Sequence, residues 1–196
     1  MAINVTKVID NVGKLSDSLA DLTLGDVLVG VPAEKTPRRG MAITNASLAY
    51  IHENGSPARN IPARPFLRPG IRKARPQIIA AARAGALAAI QGEPNAGLKA
   101  LNKMGLIARN AVVNEITDPE PPFVPLRPAT IRNRLRKTQA GRRQLRKLAT
   151  DAQKAHVSMA AALNTWAAGG NIHPLIDTGQ LRASLTYVVR RTVGRA

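Results

Sequence analysis

The chain has no cysteine, which removes thiolate zinc sites, cysteine nucleophiles and a disulfide scaffold from consideration. Phe, Trp and Tyr together make up 3% of residues, too few for the aromatic platforms on which single-stranded nucleic-acid binders stack bases. Carboxylates are scarce as well: twelve Asp and Glu stand against 29 Lys and Arg, and none lies between residues 54 and 92. A divalent-metal hydrolase gathers several acidic ligands around its ions, and Asp118, Glu120, Asp151 and Asp177 have no spacing that would bring them together. The three histidines, His52, His156 and His173, form no HExxH or paired metal spacing, and no GxGxxG or phosphate-loop motif is present. No apolar run approaches the roughly 20 residues that span a bilayer. The N-terminal stretch carries an acid and lacks the apolar centre of a secretory leader. These absences point away from an enzyme, a cofactor protein and a membrane protein, and make a cytoplasmic product the expectation.

What is present is positive charge. The net charge is +17 over 196 residues, with a pI near 11.6. A charge of this size implies contact with an anionic partner: nucleic acid, an acidic protein surface or membrane headgroups. The length suits one domain, or one domain with an arm, and can bury a core without staples.

Periodicity organises the chain as mainly helical. Val5, Val8, Val12, Leu15, Leu19 and Leu22 alternate spacings of three and four, one face of an amphipathic helix over residues 4–22. Residues 26–31 (DVLVGV) read as a strand closed by Pro32, and residues 33–40 as a polar loop. Asn45 is placed to cap a helix over residues 45–54, with Leu48, Ala49 and Ile51 on its buried side. His52 beside Glu53 invites an acid–base reading, but neighbours on a helix diverge by about 100° and no nucleophile is near in sequence. Residues 66–91 read as a long helix with Pro69 and Pro76 as weak points; Pro76 would kink it or move its start to about Arg75. Asn95 is placed to cap a third helix ending at Thr117. Residues 184–193 (SLTYVVRRTV) form a strand that can pair with residues 26–31 in a small antiparallel sheet joining both ends of the chain. The fold class is therefore α+β, mainly helical, with a long helical insertion.

The strongest electrostatic feature lies between these parts. Residues 118–128 hold five prolines and must be extended. Residues 127–147 then carry nine basic residues and no acid, with Arg132, Arg136, Arg142, Arg143, Arg146 and Lys147 forming a broad basic face. An apolar seam follows through Leu145, Leu148, Ala152, Ala155, Met159, Ala162 and Trp166, a heptad-like spacing that reads as one continuous helix starting at about Gly141 and ended by Gly169-Gly170. It suits either a helical hairpin within the chain or packing between subunits. Asp177 with Gln180 forms a candidate capping box.

The chain is organised around residues 45–70, NASLAYIHENGSPARNIPARPFLRPG, a helix that breaks into a stiff loop in which prolines alternate with Arg59, Arg64 and Arg68 around Phe66. Three strings occur in order: LAYIHENG at residues 48–55, PARPFLRP at residues 62–69, and PLIDTGQLRASL at residues 174–185. Together they resemble the tail-completion (neck, or minor tail component) proteins of long-tailed bacteriophages, and they are similar to the virion-morphogenesis proteins of Mu-like phages. The run Pro128-Ala129-Thr130-Ile131-Arg132 after a proline-rich approach resembles a segment of the same families. The resemblance covers roughly residues 1–117 and 172–193. It implies a single tail-completion-like domain over residues 1–196, with residues 127–171 a basic helical arm or insertion.

The resemblance also implies a non-enzymatic structural virion protein without cofactor, forming a ring at the head–tail junction around the DNA path. Six subunits are favoured over twelve. The implied partners are the head connector and the tail terminator or tail tube proteins, with packaged DNA as a further contact and no membrane. The residues expected to meet a partner are Arg59, Arg64, Phe66 and Arg68; Phe66 is equally suited to a core anchor. The basic face is expected to meet DNA or acidic protein. The alternative from charge alone is a small basic nucleic-acid-binding protein of chromatin or ribosome type. Against it stands the lack of a helix-turn-helix or zinc pattern.

Overall fold

Two short strands from opposite ends of the chain pair with each other, and the described residues between them form helices and loops. The computed structural model describes residues 25–33 and 43–191, together with Gly13, Ser16 and Ala20. Of the amphipathic helix read over residues 4–22, only these three residues are described, and they are helical. The loop of residues 33–40 lies outside the described residues apart from Ala33.

Strand β1 (Gly25–Gly30) pairs antiparallel with β2 (Thr186–Arg191), Gly25 opposite Arg191 and Gly30 opposite Thr186. The α+β class and the pairing of the two ends are as expected. Between the strands run α1 (Asn45–Asn54), α2 (Leu67–Ile90), α3 (Ala96–Thr117), α4 (Pro128–Arg136), α5 (Gln139–Lys154), α6 (Met159–Trp166) and α7 (Gln180–Ser184).

Helices α2 and α3 form an antiparallel hairpin whose seam is made of small residues. A Cβ on Gly70 would lie 2.8 Å from the Val112 Cα, and one on Gly85 would overlap the Ala100 side chain. The helix axes can approach only because nothing larger stands there. Pro76 does not interrupt α2, which runs unbroken from Leu67 rather than starting at Arg75. Pro69 falls in the first turn, where an amide has no helical acceptor anyway. Pro76 sits on the exposed face, where water can serve the carbonyl it leaves unbonded. Asn95 does precede α3, but in a left-handed conformation and without a side-chain cap bond. Likewise Thr44, not Asn45, caps α1: its Oγ1 accepts from the Ser47 amide at 3.1 Å, while Asn45 is buried as the first helical residue.

The described residues form two hydrophobic clusters. The first joins Phe66, Val112, Ile116, Leu175, Leu181 and Leu185, with Val29 from β1 packed against it. The second joins Leu126, Ile131, Leu148 and Leu163, with Met159 and Trp166 at its margin. The second cluster corrects the expectation of one continuous helix along the apolar seam. The chain breaks at His156, whose φ is 53°, and restarts where the Ser158 hydroxyl accepts from the Ala161 amide at 3.2 Å. Leu148 and Leu163 thereby face each other across one small core instead of lining a rod. The basic run is also divided, because the Thr138 hydroxyl accepts from the Gly141 amide at 3.0 Å and opens a new helix. Within the chain α5 packs against the preceding helix α4, and α6 folds onto both.

Candidate functional site

The loop of residues 55–66 folds back on α1. Ser56 and Ile61 exchange two backbone bonds, 2.8 and 3.0 Å, around a single 3-10 turn (Pro57–Arg59), and the Arg64 amide donates to the His52 carbonyl at 2.7 Å. This geometry sorts the four residues expected to meet a partner. Arg59 and Arg68 are exposed. Phe66 is 1% exposed and Arg64 5%, so neither presents a surface, and their assignment as partner contacts is corrected.

Arg64 is a structural cross-brace. Its Nε donates to the Val124 carbonyl at 2.8 Å and its Nη2 to the Pro125 carbonyl at 3.1 Å. The proline-rich segment of residues 118–127 has few amides to offer a sheet or helix, so its carbonyls need donors from elsewhere. Burial lowers the Arg64 pKa from its ordinary value, and the positive charge of Arg134 adds to the shift.

Glu53 is equally structural. One carboxylate oxygen accepts from the amides of Phe66 and Leu67 at 2.8 and 2.9 Å, and the other from the Arg68 amide at 3.1 Å. It therefore caps α2 from a different helix, satisfying amides that the first turn leaves open. Beside it, His52 lines a cavity of about 620 Å³ between the loop and α4, together with Arg64, Arg127, Arg134, Pro62 and Pro174. No described carboxylate lines this cavity. Among the described residues no group of three or more His, Asp or Glu stands together as a metal site, and no helix is long and apolar enough to cross a membrane.

The basic run separates into two jobs. Arg134 turns inward and donates to the carbonyls of His173, Pro174 and Ile176 at 2.8 to 3.0 Å, clamping the segment before α7. Lys137 binds Asp177, which also lies 4.0 Å from Arg134. Asp177 is therefore an ion-pair partner of α4 and not part of a capping box; Gly179, at φ 75°, occupies the position before α7. The six residues expected on the basic face, Arg132, Arg136, Arg142, Arg143, Arg146 and Lys147, are all exposed. None makes an ion pair with a described residue. Arg132–Arg136, Arg142–Arg146 and Arg143–Lys147 are like-charge pairs four residues apart, an arrangement that weakens a helix.

Arg134 was hidden within the count of basic residues. A signal was available: it follows the buried Ile131 by three residues and adjoins the half-buried Leu135, which places it on the inward stripe of α4.

Exposed large apolar side chains lie off α4 and α5, though Val124 precedes α4 and Val157 follows α5. Ile79, Leu87, Ile90, Leu98 and Leu106 lie on the α2–α3 hairpin, and Leu28 and Val188 sit opposite each other on the outer face of the sheet. None lies on α4 or α5. Neither protein-family models, characterised proteins nor solved structures give any match to this chain.

Proposed function

We propose that this protein is a structural component of a bacteriophage virion, placed at the head–tail junction, where copies form a ring joining the head connector to the tail. The observation that carries the reading is the convergence of the phage-like strings. Phe66, from PARPFLRP, packs in one cluster with Leu175, Leu181 and Leu185 of PLIDTGQLRASL, more than a hundred residues further on. Segments that resemble one family and are remote in the chain form a single physical unit.

The surface supports assembly. A two-stranded sheet is marginal by itself, and no described strand pairs with either of its outer edges, whose backbone groups another strand can take up. The Leu28–Val188 face and the outer side of the α2–α3 hairpin supply apolar area for contacts between copies. A ring of such basic chains would repel itself unless acidic neighbours or phosphates lay close by. Six copies, matching the tail, is the proposed order, with the mature virion as its location and the host cytoplasm as the site of assembly. The reading assigns it no catalysis.

The test is the light-scattering mass of nuclease-treated protein in low salt and in about 1 M salt, where screening is strong, beside a phage lacking the gene. A defined sixfold mass and an accumulation of filled heads with unattached tails are expected. Normally tailed particles without the gene would overturn the proposal.

A further inference from the structure

We propose that the outer face of α4 and α5 is a binding surface for the phosphate backbone of duplex DNA that does not read base sequence. The inference stands on the arrangement of this face and holds whether or not the protein joins heads to tails.

Arg132, Arg136, Arg142, Arg143, Arg146 and Lys147 are all exposed on two consecutive helices. Arg142 reaches across the corner to donate to the Arg136 carbonyl at 3.4 Å, and no described carboxylate neutralises any of the six. The only acid within α4 and α5 is Asp151. The like-charge pairs four residues apart oppose helix formation. Their accumulation without local counter-charge is accounted for by an external polyanion. Five of the six are arginine, whose planar fork grips phosphate oxygens two at a time. Within a row, side chains four residues apart rise by about 6 Å, while each DNA strand places a phosphate about every 3.4 Å along its axis. One row therefore spans two phosphates.

The face is held rigid. Arg134 anchors α4 to three carbonyls of the segment before α7. The α4–α5 corner is closed where Gly141 meets the Leu135 carbonyl, leaving no room for a side chain. The charges are thus presented on a fixed platform.

Two observations favour DNA backbone over an acidic protein or exposed bases. An interface with a protein partner needs a desolvated apolar centre, and no large apolar side chain is exposed on α4 or α5. Base stacking needs exposed aromatics; the exposed Tyr50 lies on α1, α4 and α5 carry no aromatic residue, and Trp166 is packed at the margin of the second cluster.

The test is fluorescence anisotropy of the full chain with labelled duplexes of two unrelated sequences, titrated with salt from about 50 to about 200 mM. Both should bind within about threefold of each other, with a log–log salt slope of up to about −5 for six contacts. The variant Arg142→Gln/Arg143→Gln/Arg146→Gln/Lys147→Gln should bind at least about tenfold more weakly and lose up to about 3.6 units of slope. A charge-matched control, Arg72→Gln/Arg75→Gln/Arg83→Gln/Lys103→Gln, alters exposed cations elsewhere and should stay within about threefold of the unmodified chain. The pair Arg132→Gln/Arg136→Gln, on the other helix, gives an independent loss if the first variant is misfolded by circular dichroism. Equal weakening in the control, tighter binding to polyglutamate than to DNA, or no binding at the lowest salt would overturn the proposal. The light-scattering mass of the α5 variant is measured in parallel, so a failure of assembly is read separately from a failure to bind DNA.

Discussion

The Glu53 carboxylate caps the helix that begins beyond Phe66: one oxygen takes the Phe66 amide at 2.8 Å and also the Leu67 amide. Its side chain is 8% exposed, so these bonds form out of water. The bond fixes where α2 starts and turns Phe66 into the first cluster, which in turn holds the C-terminal strings in place.

Replacing this carboxylate should therefore weaken the whole fold. Glu53→Ala is expected to cost about 2 kcal/mol, the sum of a lost cap and stranded amides. Glu53→Gln, which keeps one acceptor, should lose less. Urea unfolding followed by circular dichroism measures both, and an unchanged midpoint for the alanine variant would disprove the capping role.

Arg64 and Arg68 should behave in opposite ways although both belong to the same basic loop. Arg64→Ala strands two carbonyls of the proline-rich segment and should destabilise by about 2–3 kcal/mol. Arg64→Lys should not restore stability, because an ammonium cannot reproduce the two-pronged bond. Arg68→Ala removes a side chain that is 77% exposed and should change stability by no more than about 0.5 kcal/mol. Thermal melts of the three variants distinguish this from a shared docking role, in which all would fold alike.

Gly141→Ala provides a test of sign. In an open helix this change stabilises by about 1 kcal/mol. Here the added methyl meets the Leu135 carbonyl, so the corner between α4 and α5 must open, at about 1–3 kcal/mol. A melting temperature above that of the unmodified chain would contradict the close packing.

The outer face of the sheet offers a direct probe of self-association. Leu28→Glu with Val188→Glu places acids on opposed, half-exposed positions, away from the packed side of the strands. Circular dichroism should remain that of a folded chain while the light-scattering mass falls to that of one subunit. Retention of the assembled mass would exclude this face as a contact between copies.

Much of the local structure was legible in the sequence for a physical reason. Val27, Leu28 and Val29, bounded by Gly25 and Gly30, and Tyr187, Val188 and Val189 near the other end, have the branched and aromatic character that suits a pleated surface. The breaks at Gly55, at Pro94 and at Gly170 lie where backbone preference dominates any context. The basic face, too, was readable, because no buried acid could cancel so many cations in so short a run.

What followed only from the tertiary structure was the choice of partner for each group. A heptad spacing is satisfied equally by one rod and by two short helices folded on each other, and the left-handed turn at His156 decided for the second. The composition of residues 127–147 does not separate the clamp Arg134 from its exposed neighbours; the carbonyls of His173, Pro174 and Ile176 do. Arg64 and Phe66 read as partner contacts of the loop, with a core anchor as the alternative for Phe66, and Glu53 read as part of the helix before it. All three proved to be supports of the loop and of the helix that follows. Periodicity and turn chemistry are properties of a few neighbouring residues, so the chain carries them in plain order. Which buried donor meets which acceptor depends on elements dozens of residues apart coming together, and that was decided by packing.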